Sequence, residues 1–140
     1  MREIREVIFR GKRTDNGEWV KGYLYITHTG AHEIGSYDAE INIERFTFDV
    51  IPETVGQYTG LTDKNGKRIF EGDIVHCVSK LDSADMVIIF ECGQFRMILA
   101  EKYHEYQTNV GYYDINCFAK EVIGNIHDNP EILKGGGDNG

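Results

Sequence analysis

His28 and His32 stand four residues apart, with Glu33 beside the second. On a helix that spacing would place two imidazoles on one face as ligands for zinc. Gly30 lies between them and disfavours the helix, and in the metalloprotease motif the Glu follows the first His rather than the second. The pair therefore reads as two loop histidines. His76 and Cys77 are a base and a thiol side by side, but neighbours on a strand point to opposite faces, so they cannot work as a nucleophile and its base. His104–Glu105 and His127–Asp128 offer a base without a nucleophile. Asp63, Glu71 and Asp73 are oxygen donors, yet too sparse for the dense acidic loop that a hard cation requires. Turn chemistry explains Asp63 and Asp73, because an Asp carboxylate accepts from the backbone N–H two residues on. Cys77, Cys92 and Cys117 are odd in number and lack the short paired spacing of a zinc site or redox dithiol, so reduced, buried thiols are expected. No glycine-rich run carries the Lys and Ser/Thr of a phosphate loop. No catalytic, metal or cofactor residue is expected, and the chain reads as a non-enzyme.

Binding residues are easier to nominate. The chain has 15 basic and 23 acidic side chains, a net charge of −8, which argues against broad, sequence-independent binding to phosphate backbones. The excess is uneven, with 7 basic and 9 acidic residues before position 51 against 8 and 14 after it. Arg2, Arg5, Arg10, Lys12 and Arg13 concentrate positive charge near the start. Trp19, Tyr23, Tyr25, Tyr58, Tyr103, Tyr106, Tyr112 and Tyr113 exceed the needs of a small core. Aromatic faces on small β domains receive protein segments or a second copy, and less often stack bases. The partner-binding candidates are Arg5, Arg10, Arg13, Trp19, Tyr23, Tyr25 and Tyr58.

The elements that would hold these residues are strands. Glu3 to Arg10 and Glu18 to Thr27 form a hairpin whose Asn16–Gly17 suits a tight two-residue turn. In its second strand Trp19, Tyr23 and Tyr25 share one face, while Val20, Leu24 and Ile26 share the other. Residues 28 to 40 read as an irregular loop. Glu40 to Val50 alternates as a strand, with Phe46, Phe48 and Val50 on one side. Asn65–Gly66 repeats the turn signal, Glu71–Gly72–Asp73 makes a bend, and Ile74 to Val78 follows as a buried strand. Asp82 to Asp85 is a polar break before two strands, Met86 to Phe90 and Phe95 to Leu99, joined at Gly93. Glu101 to Phe118 holds at most one short helix, and Glu121 to Ile126 is the last strand. About eight short strands and 16 glycines point to an all-β antiparallel domain. No run approaches the length of a membrane span and no secretory signal follows Met1, so a cytoplasmic protein with no membrane partner is expected.

Three groups of residues carry a resemblance: Phe9–Arg10–Gly11–Lys12 with Asn16–Gly17–Glu18–Trp19–Val20, the run from Thr54 to Val75, and Glu121–Val122–Ile123–Gly124–Asn125–Ile126–His127–Asp128–Asn129–Pro130–Glu131. In that order they resemble the YopX family of phage and prophage proteins. The resemblance implies an SH3-type barrel in the C-terminal part, after an N-terminal β-hairpin lobe. Boundaries follow at 1–51 for the lobe, 52–134 for the barrel and 135–140 for a disordered tail. It also implies a phage or prophage accessory protein of the host cytoplasm, with no activity and no site residue to carry over. A protein partner or self-association is the leading functional expectation; nucleic-acid binding by a small β-barrel in phage DNA or RNA metabolism is the alternative.

Overall fold

The computed structural model describes residues 6–36, 47–105, 113–116 and 119–134. The chain divides into two compact units, Met1–Gly60 and Leu61–Gly140.

The first unit is an antiparallel sheet in the order β4-β3-β2-β1-β5. Its strands are β1 (Phe9–Lys12), β2 (Trp19–Ile26), β3 (His32–Ser36), β4 (Thr47–Asp49) and β5 (Gly56–Thr62), the last carrying the chain into the second unit. The β1–β2 turn is longer than the two-residue turn expected. Arg13 N donates to the Glu18 carbonyl at 2.9 Å, Gly17 N donates to the Arg13 carbonyl at 3.0 Å, and the Asn16 side chain accepts from Glu18 N at 2.9 Å. Gly17 adopts φ 75° and Asn16 does not enter the left-handed region, so the Asn serves as a side-chain acceptor instead.

The irregular loop expected over residues 28–40 contains β3. Thr27 N donates to the Ala31 carbonyl at 2.9 Å, and the returning strand buries Ile34 completely. One buried apolar residue in a polar segment is too weak a periodic signal to mark a strand, but it suffices once β2 supplies the pairing. Residues 40–46 of the next expected strand, Phe46 included, lie outside the described residues, as do 37–40 of that loop. Ile34 and Val50 pack over Gly11, where an added Cβ would stand 3.1 Å from Val50 Cβ. Thr54 closes the end of β1: its hydroxyl accepts from Lys12 N at 2.9 Å and donates to the Ile51 carbonyl at 2.6 Å.

The second unit holds β6 (Arg68–Phe70), β7 (Asp73–Val78), β8 (Ser83–Glu91), β9 (Gln94–Leu99), β10 (Tyr113–Asp114) and β11 (Ala119–Asn125). β6 pairs with β5, and the other five form an antiparallel sheet, β10-β9-β8-β7-β11. Both faces of this sheet are buried. Ile69, Val75, Cys77, Met86, Ile88 and Met97 pack on one side, and Ile74, Val87, Ile89, Ile98 and Leu133 pack on the other. The expected polar break at residues 82–85 is shorter, because Ser83, Ala84 and Asp85 already pair with β7. Cys92 and Gly93, with φ 52° and 80°, make the two-residue β8–β9 turn whose twist suits a hairpin.

The chain is all-β, as its composition indicated, but one expectation needs correction. The sheet of the second unit is open rather than closed into a barrel: among the described residues β10 and β11 are its unjoined edges, and β10, with two residues, is too short to close it. Among the described residues helical structure amounts to three 3₁₀ turns, Pro52–Thr54, Ala100–Glu105 and Pro130–Lys134, and Ala100–Glu105 falls where at most one short helix was expected. Proline opens two of them, where its missing N–H costs nothing. Residues 106–112, 117–118 and 135–140, with Tyr106, Tyr112 and Cys117, lie outside the described residues.

The run from Asp63 to Lys67 shields the outer edge of β11. Asp63 Oδ1 accepts from Asn65 N at 2.8 Å and Lys67 N at 2.9 Å, while Oδ2 accepts from Val122 N at 2.9 Å. Beside it Lys64 N donates to the Lys120 carbonyl at 3.0 Å. Two backbone groups that an edge strand would leave open to another chain are thereby satisfied. Burial alone would raise the Asp63 pKa; the donors Val122, Lys67 and Asn65, with the charge of Lys67, outweigh it and bring the carboxyl below its ordinary value.

Candidate functional site

In the second unit the nominated chemistry is dispersed. His76 Nδ1 lies 2.8 Å from Asp85 Oδ1 across β7–β8, with both side chains about 40% exposed, 41% and 39%, a setting in which an ion pair contributes little. Cys77 points the other way, into the core, as strand alternation required. His104 stacks edge-on against Tyr103, and His127 lies in the turn after β11. Asp73 Oδ2 accepts from Phe70 N at 2.7 Å, so it closes the bend as Asp63 closes its turn. Among the described residues no group of three or more His, Cys, Asp or Glu side chains is placed to hold a metal.

A cavity of about 270 Å³ opens at the β7–β8 turn, with Cys77, Met86 and Leu99 on its floor and Ser79, Asp82 and Tyr113 at its rim. Burial pushes the Cys77 thiol up to about 11, and its Sγ lies 3.8 Å from Met97 Sδ. A thiol held protonated in that setting is a packing group and not a nucleophile. Iodoacetamide at neutral pH is therefore expected to label exposed Cys92 and to spare Cys77 until denaturant is added, as read by peptide mass mapping. Labelling of both at equal rates in the native protein would contradict this.

The first unit gathers the binding candidates. Register places Arg10 opposite Lys21 and Lys12 opposite Trp19, and Tyr23 opposite Gly35 and Tyr25 opposite Glu33. Because directly paired residues share a face, Arg10, Lys12, Trp19, Lys21, Tyr23, Tyr25 and Glu33 lie on one side of the sheet. Asp49, opposite Glu33 on β4, joins them. Tyr58, whose N–H donates to the Ile8 carbonyl at 2.8 Å, belongs to the same side but is buried and offers no surface. Arg13 belongs to the other side: its guanidinium sits 4.2 Å from the Phe48 ring centre and makes two hydrogen bonds to Asp15, at 2.9 and 2.6 Å. Arg5 lies outside the described residues.

Burial decreases from β5 through β1 to β2 on this face. Arg10 is buried with its guanidinium 4.7 Å from the Trp19 ring centre, and Lys12 Nζ lies 5.5 Å from the same ring, so the indole is flanked by two cations. Tyr23 and Tyr25 are 59% and 57% exposed. Positive charge stands at one end of the face, with Arg10, Lys12 and Lys21. Negative charge stands at the other, with Glu33 and Asp49, and Tyr23 lies between. Sequence reasoning found the aromatics of β2 but missed Lys21, Glu33 and Asp49. The alternation of β2 would have exposed Lys21; Glu33 and Asp49 needed the strand pairings.

A family model described as YopX protein matches residues 8–134. The chain belongs to the YopX family. This YopX chain is similar to a crystal structure, that of the protein EF1440 from Enterococcus faecalis; the two are 27% identical, 93% of this chain and 99% of that chain are covered, and the TM-score is 0.49. No curated protein matches. In the YopX chain the closing motif of the resemblance proves to be architectural. Asn125 Oδ1 accepts from His127 N and Asp128 N, each at 2.9 Å, and Asn129 Oδ1 accepts from Asn125 N at 3.2 Å. No helix among the described residues is long and apolar enough to cross a membrane.

Proposed function

We propose that this YopX protein is a non-enzymatic accessory protein of phage or prophage origin, acting in the host cytoplasm by binding another protein surface on the β1–β4 face of its first unit. The observation that carries this reading is the pair Tyr23 and Tyr25, both more than half exposed on one strand face, flanked by cations at one end and carboxylates at the other. Aromatic rings bury a large area at little entropic cost, and a mixed charged rim supplies orientation. A second reading, single-stranded nucleic acid, draws support from the two cations beside Trp19, while Glu33 and Asp49 on the same face oppose it.

Photo-crosslinking decides between them. With p-benzoylphenylalanine at position 23, irradiation is expected to yield one discrete protein adduct, reduced by Tyr25→Ser and absent when the probe replaces exposed Phe90 of the second unit. An adduct digested by nuclease establishes the second reading instead. Equal capture from positions 23 and 90, or none, overturns both.

A further inference from the structure

The charge pattern of the β1–β4 face is complementary to itself under a two-fold rotation. Lys21 and the Tyr25–Glu33–Asp49 row are separated by four strand positions, ~13 Å at the usual rise, with Tyr23 midway. A two-fold axis lying in the plane between two facing sheets, perpendicular to the strands and through the Tyr23 row, reverses the strand direction of the second copy. Each Lys21 then stands over the acidic row of the other copy, and each acidic row receives a lysine. The same operation brings the two Tyr23 rings together at the axis. There each ring has space beside it, because Gly35, the cross-strand partner of Tyr23, has nothing within 4 Å of where a Cβ would stand.

From this we infer that the partner of the face is a second copy of the chain, packed sheet to sheet with Tyr23 on the two-fold axis. The inference rests on the reading that this face is the binding surface, and it names the occupant. Complementary charge at both ends selects the antiparallel arrangement, since the parallel one would bring the lysine ends together and the carboxylate ends together. An isologous contact of this kind closes at two copies.

Sedimentation equilibrium on the full chain tests the pairing. The wild type is expected to dimerise at micromolar concentration, more weakly as salt rises. Tyr23→Ser should weaken the dimer about thirtyfold, as loss of a central aromatic anchor does. Lys21→Glu and Glu33→Lys should each weaken it about tenfold, and the double exchange should restore it, because the pattern is then reversed in both copies. Gly35→Leu supplies a control with an unaltered charge pattern: its side chain occupies the slot beside Tyr23, so dimerisation should fail while circular dichroism and melting remain those of the wild type. A wild type that stays monomeric throughout, or a dimer indifferent to Tyr23→Ser and to the charge exchange, overturns the inference. If the crosslink from position 23 goes to a different protein while the chain sediments as a monomer, the binding face stands and the self-pairing falls.

Discussion

Replacing Asp63 with alanine is expected to lower the unfolding free energy by about 3 kcal/mol, the scale of hydrogen bonds to a charged group left unmade at a buried site. The carboxylate accepts from Asn65, Lys67 and Val122, and alanine removes all three acceptor positions at once. Asp63→Asn should retain the two bonds inside the turn through its carbonyl oxygen. Its NH₂ would then face Val122 N, placing donor against donor where Oδ2 now accepts. The asparagine variant therefore isolates the link between the turn and β11. Its loss also leaves the outer edge of β11 open around Val122, so faster aggregation at high concentration should accompany the lower stability.

The same group sets a pH dependence whose sign follows from its environment. The folded-state pKa of Asp63 lies below the ordinary value of 3.8, so the folded protein binds the proton less readily than the unfolded chain. Its stabilisation is fully present above the unfolded pKa, about 4, and is lost as pH falls through the folded one. Chemical denaturation of wild type and Asp63→Asn between neutral pH and pH about 3 should show the two curves converging in acid. A constant gap across that range would mean that the carboxylate charge does not support the fold.

The turns and the register of this chain differ in how openly the sequence displays them. Gly17, Gly66, Gly72 and Gly93 all adopt φ between 75° and 92°, and each stood in a turn signal legible from residue type, because left-handed backbone is inexpensive only for glycine. Asp63 was legible as a turn former, since its bond to Asn65 N is local. Its bond to Val122 joins residues 59 apart, and no local pattern announces such a partner. The same divide separates the two halves of the binding face. Trp19, Tyr23 and Tyr25 share a face by alternation alone, whereas Glu33 and Asp49 reach it only through the β2–β3 and β3–β4 pairings. Arg13 illustrates the converse: its closeness in sequence to Arg10 suggested a single patch, but an odd separation on an extended chain sends it to the opposite side, over Phe48.

Gly124 carries the second large effect. A Cβ there would stand 2.5 Å from Asn129 Oδ1 and 2.8 Å from Asn129 Cγ, so Gly124→Ala must drive the Asn129 side chain from its place. That movement breaks the bond from Asn125 N to Asn129 Oδ1 and disturbs the turn in which Asn125 Oδ1 holds His127 N and Asp128 N. The expected cost is about 3 kcal/mol, combining overpacking with a lost hydrogen bond. Asn129→Ala alone forfeits only the bond, about 1 kcal/mol. The double variant distinguishes collision from any intrinsic need for glycine, because with Asn129 cut back to Cβ the new methyl meets that atom at 3.2 Å, a tight but tolerable contact. Guanidinium denaturation of the four proteins should therefore show strong coupling, with Gly124→Ala costing less than about 1 kcal/mol in the Asn129→Ala background. Additive losses would place the requirement in the backbone at the β-bulge between Val122 and Gly124 rather than in the space that Asn129 occupies.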